Sequence, residues 1–169
     1  MKTYKITSFG IAIVLILLVS ACSAGGVKPQ PGATFSGPFE LSRSGSGATM
    51  GGGELDVSIT DDGMGIASAT LTISDLRCSS SSGDIEISSD GWSATTTFTP
   101  PTEIEGGKFT FDLGGIDEEI QVEGEFNSAS TATAIIEVST STEFAPPGTN
   151  VRERINCDYG TWNWIGEAE

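Results

Sequence analysis

The chain has 169 residues, with 8 Lys+Arg against 23 Asp+Glu, no His and a net charge of −15. Such a balance argues against a nucleic-acid partner, because phosphate contacts need Lys and Arg. The lack of His excludes Ser-His-Asp and Cys-His catalysis, His-ligated zinc and His-based pH sensing. The 22 Gly and the 18% charged residues argue against a coiled coil or a charged helical bundle.

In chain order, Lys2 and Lys5 come first as a positive segment, followed by an unbroken apolar run from Ile11 to Val19. A spanning helix needs about 20 apolar residues, so this run suits the hydrophobic region of a signal peptide. Val19-Ser20-Ala21-Cys22 follows. It resembles the lipobox of bacterial lipoproteins, with Val19 standing where Leu is commoner. The resemblance implies cleavage before Cys22 and a diacylglycerol thioether on its sulfur. It therefore implies a lipid-anchored protein of the bacterial cell envelope, held at the cell membrane or the outer membrane. An ordinary secretory signal with a chance cysteine is the alternative. Removing residues 1–21 takes two Lys and no acid, leaving six Lys+Arg against 23 acids, a net of −17.

Residues 22–34 are rich in Gly, Pro and small polar residues and predict a lipidated flexible tether. Residues 35–169 predict one all-β domain. Leu55, Val57 and Ile59 alternate with polar residues, Asp61-Asp62-Gly63 makes a turn, and Ala67, Ala69, Leu71 and Ile73 alternate again, the pattern of a hairpin. Further alternating runs fall at Ile85/Ile87, Trp92 to Phe98, Phe109 to Leu113, Ile120 to Phe126, Ala132 to Val138 and Ile155 to Trp164. Turn signals between them include Asp90-Gly91, Pro100-Pro101 and Gly106-Gly107. Eight to ten short strands at this spacing predict an antiparallel β-sandwich, immunoglobulin-like or jelly-roll-like. The order Cys78, Trp92, Cys157 imitates the immunoglobulin pattern, but Ile155 stands where such domains carry Tyr. Gly107-Lys108-Phe109, Gly124-Glu125-Phe126-Asn127-Ser128, Ala132, Cys157, Gly160 and Trp162/Trp164 together resemble the last strands of uncharacterised bacterial secreted β domains, with Ala134 where Gly is usual. That resemblance implies no activity.

With Cys22 assigned to lipid, Cys78 and Cys157 remain, and in an exported chain they read as one disulfide; two buried thiols are the alternative. Asp61, Asp62, Asp117, Glu118 and Glu119 are the candidate ligands for Ca²⁺, although neither group has the spacing of an EF-hand loop, and solvated hairpin acids are the alternative. Glu103 and Glu105 are a carboxylate pair of the kind glycoside hydrolysis needs. No other catalytic signature accompanies them, and the only lysine within 35–169 is Lys108, so a non-enzymatic protein is the expectation. Trp92, Tyr159, Trp162 and Trp164 are the candidate ligand-binding residues, as a platform stacking on sugar rings; burial in the core is the alternative. The functional expectation is a non-catalytic binding module for a glycan or protein partner. A structural envelope lipoprotein comes second and a carboxylate-dependent glycoside hydrolase third.

Overall fold

The computed structural model describes residues 26–79, 86–89, 92–114, 118–144 and 153–169. Among the described residues eleven strands follow one another: β1 (Thr34–Arg43), β2 (Ala48–Thr49), β3 (Gly53–Ile59), β4 (Gly65–Ile73), β5 (Leu76–Ser79), β6 (Glu86–Ser89), β7 (Trp92–Glu103), β8 (Lys108–Leu113), β9 (Glu118–Phe126), β10 (Thr131–Phe144) and β11 (Glu153–Ala168). No helix occurs among the described residues. The expectation of an all-β antiparallel fold is met.

Eight strands form one sheet in the order β7-β4-β3-β1-β11-β10-β9-β8, every pair antiparallel. The first and last strands pair with each other. Around the sheet the order is therefore a meander, rather than the Greek-key connectivity of an immunoglobulin or jelly-roll sandwich. The two edges, β7 and β8, are consecutive in sequence. Phe98 of β7 and Phe111 of β8 bring their rings to 5.3 Å, so the sheet curls nearly into a barrel. β2, β5 and β6 form a separate three-stranded sheet inserted along the chain.

The alternation in sequence explains which face is buried. Phe35 and Phe39 of β1, Leu55, Val57 and Ile59 of β3, and Phe109, Phe111 and Leu113 of β8 all point inward. The inward side chains of β9 (Ile120, Val122, Phe126) and β10 (Ala132, Ala134, Ile136, Val138) complete the core. Phe126 packs edge-on to Phe35 at 5.1 Å and tilted against Phe109 at the same distance, which links β1, β8 and β9 across the interior.

Bulges in β4 and β11 change the alternation. In β4 the register slips between Ile66 and Ser68. As a result Ile66 is buried and Ala67 is only half-buried, where strict alternation places Ala67 inside. In β11, Gly160 pairs with Val138 and Asp158 with Ser139, so Tyr159 is the extra residue. Gly160 has φ of +89° and a Cβ there would strike the Arg43 carbonyl, so only glycine fits. Ile155, Cys157 and Tyr159 face inward before the bulge, and Trp162 and Trp164 after it. Pro100-Pro101 is also not a turn between strands. It lies inside β7, where the register to β4 jumps from Thr97 to Thr102. An edge strand tolerates residues that lack an N–H.

The segment assigned to the tether is partly packed. Gly26 lies against the Gly106–Gly107 corner, the Gln30 N–H donates to the Ala129 carbonyl at 2.9 Å, and the Gly32 N–H donates to the Thr60 carbonyl at 3.0 Å. Pro29 and Ala33 are buried. Residues 26–33 thus form a strap across the barrel end that carries the β3–β4, β7–β8 and β9–β10 loops. Composition misleads here because short polar residues and proline satisfy loop backbones as readily as they solvate a linker.

Candidate functional site

Cys22 and Asp117, and the side chains of Trp92 and Glu118, lie outside the described residues. The remaining candidates do not gather at one place.

Cys78 of β5 and Cys157 of β11 are joined as a disulfide, with Cα atoms 5.8 Å apart and both residues buried. The bond fastens the three-stranded sheet to the large one, at the barrel end opposite the strap. Asp158 strengthens this junction: it bridges to Ser46 and Gly47, and its carboxylate accepts the Gly160 N–H at 2.8 Å.

The aromatic platform is corrected by the structure. Tyr159, Trp162 and Trp164 are only 5%, 4% and 1% exposed. The Trp164 indole N–H is shared between the carbonyls of Gly37 and Leu55, each at 3.0 Å, so its ring lies beneath β1 and reaches β3. A side chain on Gly166 would collide with that ring. Trp162 packs edge-on to Phe39 at 5.6 Å and donates to the Tyr159 carbonyl at 3.2 Å. These rings have no free face for a sugar. The physical reason is scale: a barrel interior needs large apolar side chains, and the i, i+2 spacing that would build a platform equally well fills one inner face. Burial pushes the Tyr159 phenol up from its ordinary value, with the Thr140 hydroxyl pulling partly back.

The acidic candidates lie in two separate places, and of the second group only the Glu119 side chain is among the described residues. Asp61 and Asp62 are exposed in the β3–β4 turn, whereas Glu119 is exposed on β9 at the other end of the barrel. Asp62 serves the turn itself. Its carboxylate accepts the Thr60 hydroxyl at 2.6 Å and the Met64 N–H at 2.9 Å, and these bonds hold it below the usual carboxylate range. Thr60 in turn accepts the Gly65 N–H at 3.0 Å. This is an Asx-type turn, and it explains Asp-Asp-Gly without a metal. Glu119 stands with Arg43, Glu137 and Asp158 around an open depression of about 290 Å³ beside the Gly160 bulge. Among the described residues no three ligating side chains converge. Glu103 and Glu105 are both exposed at the β7–β8 corner.

A feature not foreseen from sequence lies on the outer face of β8 to β11. A shallow depression of about 620 Å³ is bordered by Lys108, Thr110, Glu123, Ile135, Asn163 and Ile165. Ile135 is 50% and Ile165 is 63% exposed. The signal for Ile135 was present in the sequence: Ile135-Ile136 breaks the alternation of β10, so one of the two must face outward.

The class defined by these features is an antiparallel meander sheet curled nearly into a barrel, with its first and last strands paired and one disulfide joining it to the small sheet. No protein-family model, curated protein or solved structure matches the chain.

Proposed function

We propose that the chain is a lipid-anchored cell-envelope protein whose barrel is a non-catalytic binding module for a protein partner. The anchoring half of this reading is supported by Val19-Ser20-Ala21-Cys22 after the apolar run, as argued above. The binding half is carried by one observation, the exposure of Ile135 and Ile165 beside a depression with a polar border. Mixed aliphatic and polar surface suits a protein contact. Stacking on a sugar needs an exposed ring face, and Tyr159, Trp162 and Trp164 are buried, so a protein partner is favoured over a glycan.

The test is photo-crosslinking in intact envelopes from a photoreactive residue at position 135, with position 70 on β4 as control. One discrete adduct from position 135, lost with Ile165→Glu and absent from position 70, is expected. No adduct, or the same adducts from both positions, contradicts the binding reading and leaves the structural envelope lipoprotein as the better account.

A further inference from the structure

We infer that the strap seats the barrel end-on at the membrane, with its loop end facing the bilayer and its disulfide end facing away. The inference rests on the lipid-anchor reading of Cys22 and extends it to an orientation. Four chain steps separate Cys22 from Gly26. Fully extended, they reach at most about 14 Å. Gly26 is packed on the Gly106–Gly107 corner, and the strap that follows is hydrogen-bonded to the β9–β10 and β3–β4 loops. The anchor therefore leaves the barrel at one defined end. The ten residues of β1 run roughly 30 Å, about twice the reach of the span, so the opposite end stays away from the bilayer unless the barrel lies on its side.

The surface opposes a side-on pose. The barrel wall carries outward acids on most strands, among them Glu40, Glu54, Glu123, Glu125 and Glu137, which anionic headgroups repel. The loop end adds exposed apolar and basic groups to its acids. Val27 and Met64 are exposed there at 41% and 53%, the Lys28 ammonium rests 3.9 Å from the Met64 sulfur, and Lys108 opens β8. Asp61, Asp62, Glu103, Glu105, Glu125, Glu167 and Glu169 also stand at that end, so the acyl chains and the short span hold the pose and charge does not. The consequence is that the disulfide, the three-stranded sheet and the Gly160 bulge are presented outward.

The experiment uses the mature lipidated protein in nanodiscs of zwitterionic and anionic phospholipid, doped with a gadolinium-chelating lipid. Paramagnetic broadening of amide resonances is the readout, and mass spectrometry of the same sample reports the lipid on Cys22. Broadening at Met64, Gly107 and Ser130 several-fold stronger than at Gly47, Cys78 and Asp158 is expected. Inserting ten Gly and Ser residues after Ala24 should flatten that gradient. Equal or reversed broadening on a lipidated sample, or a gradient that survives the insertion, overturns the seating alone. A sample without lipid on Cys22 overturns the anchor reading and the seating together.

Discussion

Trp164 links three strands from one position. Its ring fills the interior under β1, and its N–H is divided between two backbone carbonyls on β1 and β3. Trp164→Phe keeps most of the apolar contact but removes the indole N–H that bridges both carbonyls, and should cost about 1–3 kcal/mol in urea unfolding. An unchanged midpoint would show that the shared hydrogen bond contributes nothing. Tyr159 offers a second test, because the only other tyrosine in the sequence is Tyr4, within the segment read as signal. Its folded pKa is raised by burial. A raised pKa favours the neutral phenol in the fold, so its contribution to stability is complete below about pH 10 and is lost as the pH climbs through the folded value. Tyrosinate absorbance of the mature protein should appear above pH 10, together with loss of structure, and Tyr159→Phe should shift that alkaline unfolding upward. Ionisation near pH 10 with the fold intact would contradict the buried position.

At the scale of elements, the bulge in β11 decides which aromatics are inside. Gly160→Ala places a Cβ against the Arg43 carbonyl at a positive φ, and a loss of about 1–3 kcal/mol is expected. Wild-type stability in this variant would mean that the bulge can relax without cost. The strands themselves were legible, because period-2 alternation of Leu, Val, Ile and Phe is imposed by a one-sided core. The disulfide was legible too, since reading the chain as exported and Cys22 as lipidated leaves two cysteines to pair. The bulges were less so. A strict alternation cannot bury Ile155 and Trp164 on the same face, and that mismatch of parity was the available clue. The strap was not legible, because its contacts are backbone hydrogen bonds between loops distant in sequence. The aromatic cluster was legible as a cluster, but its direction depends on curvature: on a curled sheet the same spacing points into the interior.

At the scale of the whole molecule, the charge of −15 combines two unlike parts. The segment read as signal contributes two lysines and no acid, and the rest carries −17. A body this acidic does not adhere to an anionic membrane by its surface, so the proposed residence there depends on a covalent anchor. The meander suits that arrangement. Its described loops between neighbouring strands fall at the barrel ends, and the strap crosses one end, so a single attachment point is enough to orient the rest. The most direct test of this account is the intact mass of the mature protein extracted from membranes of the cell that makes it. The predicted result is a chain beginning at diacylglyceryl-modified Cys22, with Cys78 and Cys157 two hydrogens lighter than their thiols. A chain beginning elsewhere, or an unmodified Cys22, would contradict it.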